Sequence, residues 1–438
     1  MPNPVAQIAE PFHAAHANAP RQSALVASLW RRLAQTAGPG LMVSVGYMDP
    51  GNWATDIEAG SAFGYGLLSV VLVSSLAAMF LQTLSLRLGL ASGMDLAQAC
   101  RERYPKSVSR TLWVFGELSI AACDLAELLG SALALHLLLH VSLMSGLAIT
   151  AFDTFAILWL GSMGYRRIES IVLAFVITIA GCYVVEMILA RPDWAGVASG
   201  LVPDRKDFAS AREVFVAIGI VGATVMPHNL YLHSSVVLAR RRDSKDEVLK
   251  IAIRSYTLDA VMSLSLAMLV NAAILILAAS VFNKTGHREI VDIADAYHML
   301  DPLVSGAWAS ILFAVALLAS GQSATLTGTI AGQVMLEGFL HLRISAWKRR
   351  LITRLIAILP AVAALHCFGP ESVGRLLVAS QVVLSLQLPF ALWPLIRFNG
   401  DPGIMGKFSL GKGWSVLAWI IFVSVSAANA WLVYSVLI

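Results

Sequence analysis

Long apolar segments alternate with short polar segments along almost the whole chain. Each apolar segment holds about 20 residues or more, which is the length that crosses the hydrocarbon core of a bilayer. The pattern predicts an all-α membrane protein with about eleven transmembrane helices. The predicted spans cover residues 36–61, 65–90, 111–137, 141–162, 167–190, 212–239, 255–281, 305–340, 351–368, 373–396 and 413–438.

The composition agrees with this class. Apolar residues make up 58% of the chain, charged residues make up 13%, and the mean hydropathy is +0.73. A soluble protein carries about 25% charged residues. The net charge of +4 does not indicate nucleic-acid binding, because the basic residues cluster in alternate loops. The four cysteines show no CxxC spacing and predict no disulfide framework.

The distribution of Lys and Arg predicts the orientation. If the N-terminus is cytoplasmic, the large majority of these residues fall in segments on the inner side. We therefore expect a multi-pass protein of the cell (inner) membrane with its N-terminus inside and its C-terminus outside. Residues 1–35 form a polar cytoplasmic tail, expected to be disordered, and lack the apolar region of a cleavable signal peptide.

Two of the spans contain a helix-breaking tetrapeptide. The first span holds Asp49-Pro50-Gly51-Asn52, and the sixth holds Met226-Pro227-His228-Asn229. Proline interrupts a helix because it lacks an N–H and clashes with the preceding turn. A broken helix is tolerated inside a membrane only where the freed backbone faces protein or a polar cavity. Paired interruptions at corresponding positions of two halves are typical of a transporter's substrate site.

The position of the breaks divides the chain into two five-helix halves. A polar segment with several prolines and aspartates, residues 191–211, separates a half at about 36–190 from a half at about 212–396. Because five is odd, the second half must cross the membrane with inverted topology. Residues 36–396 thus form the predicted transport core, and residues 397–438 add a loop and one further C-terminal helix.

The groups at the breaks form a candidate metal site. Asp49 supplies an anionic oxygen, Asn52 a neutral oxygen and Met226 a thioether. The carbonyl of Ala223 loses its helical partner because Pro227 has no N–H. Magnesium and calcium prefer all-oxygen shells, whereas manganese, iron, cobalt and cadmium tolerate such a mixture. A structural kink with a packing methionine is the alternative, which the symmetric placement disfavours.

Three acidic residues interrupt the third predicted span: Glu117, Asp124 and Glu127. Asp124 and Glu127 are three residues apart and share a helix face. Chains of acidic residues in transporters commonly relay protons. The ninth span begins with three arginines that could pair with these acids: Arg349, Arg350 and Arg354. A static network of ion pairs therefore remains an alternative to a proton relay.

Two other polar residues are open to more than one interpretation. His228, beside the second break, can satisfy freed carbonyl groups or take part in the chemistry of the site. Gln381, inside the tenth span, can hydrogen-bond across helices as a packing contact.

At these residues the chain resembles the Nramp family of proton-coupled divalent metal transporters, in particular its bacterial manganese members. The two tetrapeptides match, and the second is followed by the family's Leu-Tyr-Leu-His-Ser at 230–234. The resemblance runs from about residue 36 to the end of the chain. Further matching stretches lie at residues 91–96, 101–105, 319–323, 327–329 and 380–390.

The resemblance implies a LeuT-like fold made of a 5+5 inverted repeat, with helices one and six broken. It implies proton-coupled uptake of Mn²⁺, and also of Fe²⁺, Cd²⁺ or Co²⁺, by alternating access. It implies no cofactor and no enzymatic activity, and we expect a protein that functions as a monomer. The implied metal ligands are Asp49, Asn52, the Ala223 carbonyl, Met226 and Gln381. The implied proton pathway comprises Asp49, His228, Asp124, Glu127 and Glu117, and continues toward Arg349, Arg350 and Arg354.

The alternative function is sodium-coupled amino-acid symport on the same fold. Such a protein also breaks helices one and six, but it presents backbone N–H groups to the substrate carboxylate. Asp49 would repel that carboxylate, and Met226 would have no role. A membrane-embedded zinc protease is disfavoured because the sequence has no HExxH motif.

Overall fold

The computed structural model describes residues 38–162, 165–203, 210–241, 245–288, 290, 292–304, 308–342, 344–369 and 371–437. Every regular element in these ranges is a helix, and none of the residues described forms a strand. The predicted tail, residues 1–35, lies outside the described residues, and so does the side chain of Arg350.

The helices are numbered here in chain order. The first half contains α1 (Pro39–Gly46), α2 (Pro50–Phe63), α3 (Leu68–Ser92), α4 (Leu96–Arg103), α5 (Lys106–Leu139), α6 (Leu143–Ser162), α7 (Tyr165–Ala190) and α8 (Trp194–Gly200). The second contains α9 (Ala211–Val225), α10 (Pro227–Ala239), α11 (Asp246–Ala278), α12 (Ile293–Val304), α13 (Ala309–Leu340), α14 (Ala346–Phe368) and α15 (Ser372–Gly400). The one-turn α16 (Pro402–Met405) and α17 (Lys412–Leu437) follow.

Eleven membrane spans can be recognised in the described part of the chain. Nine are long and apolar enough by themselves, and one of these is the α9–α10 pair. The broken pair α1–α2 forms the first span, and α6 forms the fourth. The predicted number and the two broken helices are therefore confirmed.

The short helices between spans were not predicted. Helix α4 is one of them, and it begins with a capping box in which Asp95 and Gln98 bond to each other's backbone N–H groups. This Asp-x-x-Gln signal is present in the sequence, because a capping box needs only a short acceptor and a longer polar side chain three residues later. The seventh span was also predicted too short, since α11 begins at Asp246 and continues through a π-helical turn to Asn283.

The spans pack in two groups. The first broken span, α1–α2, contacts α11, and the second, α9–α10, contacts α3. Helices α5, α6, α13 and α14 contact one another, and α5 and α13 form the most extensive pairing. Helix α15 joins the groups through α9 and α5. The residues at the breaks are buried among these helices, as a break within a membrane requires.

The outer faces of the helices are apolar. Large aliphatic side chains such as Ile188, Leu359 and Val423 are exposed. Helix α17 is the least buried of the nine spans identified by length and composition. Extensive exposed apolar surface on a folded chain indicates contact with lipid.

Candidate metal site at the two helix breaks

The first break separates α1 from α2 and exposes the N-terminus of α2. Asp49 is the N-cap of α2, and Pro50 takes the first helical position, where a missing N–H does no harm. Asp49 Oδ1 accepts hydrogen bonds from the Asn52 backbone nitrogen at 2.9 Å and from Asn52 Nδ2 at 2.8 Å. Asp49 Oδ2 has no partner among the described residues, although the side chain is fully buried. One oxygen of this carboxyl group is thus held and the other remains available.

The second break lies between α9 and α10. Met226 has φ 23° and ψ 100°, a positive φ that side chains rarely adopt. Such strain costs about 1–3 kcal/mol and is concentrated at functional positions. Asn229 donates its Nδ2 hydrogen to the Met226 sulfur at 3.4 Å. In both breaks, therefore, an asparagine three residues further on donates to the preceding candidate ligand.

One hydrogen bond joins the two breaks. Asn52 Nδ2 lies 3.1 Å from the carbonyl oxygen of Ala223, 171 positions away in the sequence. That oxygen is the one predicted to lose its helical partner, and the asparagine amide satisfies it. Asp49, Asn52, Ala223 and Met226 are all at most 1% exposed, so the tertiary fold brings the four predicted groups to one buried region.

Gln381 of α15 also reaches the first break. Its side-chain amide packs directly on Gly51, where a β-carbon would overlap with it. Gln381 Nε2 donates to Ser380 Oγ at 2.9 Å, and Oε1 has no partner among the described residues. Glycine at position 51 is therefore what lets an amide from the tenth span lie beside the first-span ligands.

Asn271 is a site residue that the sequence analysis missed. From α11 it donates to the Tyr47 carbonyl oxygen at 2.9 Å and to Asn52 Oδ1 at 3.2 Å. Both bonds are buried. The signal in the sequence was a lone amide in the apolar second half of this helix, residues 260–278, which in a membrane is rare without a bonding role.

Two ion pairs lie at the outer ends of the broken spans. On the side of α1, Arg240 lies 2.7 Å from Glu169. On the side of α2, Arg212 lies 3.0 Å from Glu58. The first pair connects the end of α10 to α7, and the second connects the two broken spans through α9 and α2.

Glu117 of α5 pairs with Arg349 of α14. Arg349 Nη2 lies 3.0 Å from one Glu117 oxygen and 3.1 Å from the other, and Trp113 Nε1 donates to the same carboxylate at 3.1 Å. The Arg349 guanidinium packs on Gly332 of α13, where a β-carbon would overlap with it. The ion pair suggested by the sequence is present for this acid.

Asp124 and Glu127 lie deeper in the same helix, and both are fully buried. Arg354 Nη1 approaches the backbone carbonyl of Asp124 at 3.4 Å. The Cys123 thiol donates to Glu127 at 3.4 Å. The Asp124 carboxyl group is within electrostatic range of the His228 imidazole. Helix α5 therefore carries acidic groups from the second break toward the arginines of α14.

A metal held at the breaks must use more than charged ligands. Among the described residues, no group of three or more His, Cys, Asp and Glu side chains is placed to hold a metal ion. The donors available at the breaks are one carboxylate, two amides, a backbone carbonyl and a thioether. This donor set combines hard oxygen atoms with one soft sulfur.

The arrangement of the spans defines the class of membrane protein. Paired broken helices at the centre of an eleven-span bundle are the architecture of secondary transporters of the LeuT type. The transporter Mhp1, of the nucleobase-cation-symport-1 family, shares this fold with a TM-score of 0.60 and 14% identity over 83% of this chain and 78% of its own.

Sequence comparison then gives the family. The profile described as natural resistance-associated macrophage protein-like matches residues 40–435, and the chain belongs to the Nramp family. It is 58% identical to the divalent metal cation transporter MntH 1 of Pseudomonas aeruginosa over 93% of both chains. It is 55% identical to MntH of Ralstonia nicotianae over 93% of this chain and 92% of that one. The manganese transporter of Eremococcus coleocola has a TM-score of 0.85 and 38% identity, over 93% of this chain and 87% of its own.

Proposed function

We propose that this protein carries out proton-coupled uptake of divalent transition metal ions by alternating access. Its substrates are Mn²⁺ and also Fe²⁺, Cd²⁺ and Co²⁺. The protein lies in the cell (inner) membrane, with its N-terminus cytoplasmic and its C-terminus outside, and works as a monomer. Residues 36–190 and 212–396 form the two inverted halves of the transport core.

The observation that carries this proposal is the bond between Asn52 and the Ala223 carbonyl oxygen. It joins the two helix breaks at the point where a carboxylate and a thioether are buried. Asp49, Asn52, Ala223 and Met226 are the ligands we assign, and Gln381 Oε1 completes the set. A single carboxylate leaves a bound divalent ion with about one net positive charge, so the ion can still be released.

Proton coupling is assigned to the acidic side of the site. Asp49 and His228 are the groups next to the metal, and Asp124, Glu127 and Glu117 continue along α5 toward Arg349, Arg350 and Arg354. Buried ionisable groups in a membrane are costly unless they titrate or pair, which makes them candidates for a proton pathway.

Uptake into proteoliposomes tests the function. We expect uptake of Mn²⁺ and Cd²⁺ to be driven by an inward proton gradient and to exceed uptake of Mg²⁺ and Ca²⁺. Asp49→Ala should abolish Mn²⁺ uptake, because it removes the only anionic ligand we assign. Robust Mn²⁺ uptake by that variant would contradict the site. Sodium-driven uptake of an amino acid, without metal uptake, would favour the alternative symporter.

A further inference from the structure

The second helix break contains a buried asparagine, Asn229, that is not among the proposed ligands. It occupies the third position of α10 and is fully buried. Its Nδ2 donates to the Met226 sulfur at 3.4 Å, and its Oδ1 has no hydrogen-bond partner among the described residues. Buried polar groups are normally paired, and a thioether is a weak acceptor. This arrangement contributes little to stability, and departures of this kind are concentrated at functional sites.

The chemistry of sulfur fixes the orientation of this amide. A thioether accepts hydrogen bonds but cannot donate them. The Asn229 side chain must therefore turn its NH₂ group toward Met226, because the reversed amide would bring two acceptors together. The unpaired Oδ1 is the consequence of that orientation.

The end of the first broken helix leaves room for the same amide. A β-carbon at Gly46, the last residue of α1, would lie 2.5 Å from Asn229 Nδ2, closer than β-carbons approach other atoms. The Asn229 amide therefore touches the end of α1 while it bonds the sulfur of Met226. One side chain thus links the first broken span to the candidate ligand of the second.

A methionine needs such support if it is to act as a metal ligand. Its side chain has three rotatable bonds and adapts readily to its surroundings. A sulfur that is not held in place loses this freedom each time it binds an ion, which lowers the affinity. The backbone of Met226 is held at φ 23°, and the bond from Asn229 holds the sulfur near the other end of the side chain.

We propose that Asn229 determines metal selectivity by holding the Met226 sulfur in position for a soft transition metal ion. Asn229 is a positioning residue and does not itself contact the ion. Because the bond to sulfur is weak, it withdraws little electron density, and a second lone pair of the sulfur stays free for the metal. The benefit of a fixed sulfur therefore exceeds the loss of donor strength. This inference rests on the proposed function, in which Met226 is a ligand.

X-ray absorption spectroscopy of Cd²⁺ bound to the purified full-length protein tests the positioning directly. Scattering from a sulfur neighbour is expected in the parent protein and should be absent in Met226→Ala. Asn229→Leu has nearly the same size as the parent residue but no donor, and it should lose most of the sulfur signal. A full sulfur signal in Asn229→Leu would overturn the inference alone. No sulfur signal in the parent protein would instead contradict the proposed ligand set.

Metal affinities give a second readout, which a purely structural role would not change. Asn229→Leu should weaken Cd²⁺ binding by about tenfold, the scale of losing a residue that orients a metal ligand, and Mn²⁺ binding less. In a Met226→Ala background, the same substitution should leave the ratio of the two affinities unchanged, because the positioned sulfur is gone. An equal fall for both ions in both backgrounds would make Asn229 a ligand itself and overturn the positioning role.

A second variant tests the same contact without changing Asn229. The β-carbon added by Gly46→Ala should push the amide away from the sulfur, and the affinity for Cd²⁺ relative to Mn²⁺ should fall. An unchanged ratio in this variant would count against the inference even if Asn229→Leu does not fold.

Asn399→Leu provides the matched control. Asn399 is fully buried and also has an unpaired Oδ1 among the described residues, but its Nδ2 donates to the backbone carbonyls of Leu84 and Leu395. Its substitution should leave the ratio of Cd²⁺ to Mn²⁺ affinity unchanged. A fall as large as that in Asn229→Leu would assign the effect to general loss of packing and overturn the inference.

Discussion

Asn271 donates a hydrogen bond to the side-chain oxygen of Asn52 at 3.2 Å, from a helix about 220 positions away in the sequence. The same Asn271 nitrogen also bonds the Tyr47 carbonyl at the end of α1. The Asn52 amide is therefore fixed with its nitrogen toward Asp49 and Ala223. Asn271 sets the orientation of a proposed ligand without being one.

Asn271→Ala should therefore weaken Mn²⁺ binding by about tenfold, the scale typical of losing a residue that orients a metal ligand. The measurement is Mn²⁺ affinity by isothermal titration calorimetry. Asn271→Asp retains an acceptor but loses the donated hydrogen, so it should not restore the affinity. Full affinity in Asn271→Ala would show that Asn52 needs no support from α11.

Met226→Ala should reduce affinity for Cd²⁺ by about tenfold and affect Mn²⁺ less, because sulfur contributes most to soft ions. Mg²⁺ and Ca²⁺ should then compete better in uptake assays. Met226→Gly removes the same sulfur and relieves the positive φ, so it should be at least as stable as Met226→Ala in thermal unfolding. If both variants still exclude Ca²⁺ as well as the parent does, the thioether is not the selective element.

Neutralising Asp124 and Glu127 together should uncouple protons from metal. In Asp124→Asn/Glu127→Gln, Mn²⁺ binding should survive because neither residue is a proposed ligand. The ratio of protons to metal should fall to roughly half or less, because these buried acids carry the proposed pathway. A pH-sensitive dye inside the vesicles is read alongside metal flux.

The exposed carboxylate Glu102 provides the control for this experiment, since Glu102→Gln removes a negative charge away from the pathway. An unchanged ratio in the double variant would mean that the acids of α5 form a structural network with the α14 arginines. The ion pair between Glu117 and Arg349 would then belong to that network rather than to the proton pathway.

Asp95, between the second and third spans, should make the docking of α4 depend on pH. Burial raises the pKa of Asp95 to about 7. The unfolded value is about 3.9, so the folded state binds more protons between these two pH values. The contribution of Asp95 to the free energy of unfolding is therefore largest below about pH 4. It falls as the pH rises to about 7 and is constant above that pH.

Hydrogen exchange of Leu96–Arg103, corrected for the intrinsic rate, should accordingly be faster at pH 8 than at pH 5.5. Asp95→Asn retains an oxygen that caps the helix and should remove most of this difference. Asp193→Asn, at the exposed cap of α8, serves as the control. If the exchange rate of Asp95→Asn differs between the two pH values as much as that of the parent protein, another group causes the pH dependence.

The amino-acid sequence by itself determined the class of protein, the number of spans and the two breaks. These follow from local chemistry: apolar segment length decides whether a helix crosses a bilayer, and proline interrupts a helix wherever it stands. The candidate ligands Asp49, Asn52 and Met226 were visible for the same reason, since polar and sulfur groups at a buried break are conspicuous.

The tertiary structure alone decided which distant groups meet. Gln381 reaches the first break because Gly51 leaves room for its amide, and Asn271 fixes Asn52 from another helix. Periodicity along a sequence gives the face of a helix on which a residue lies, but not the helix that packs against that face.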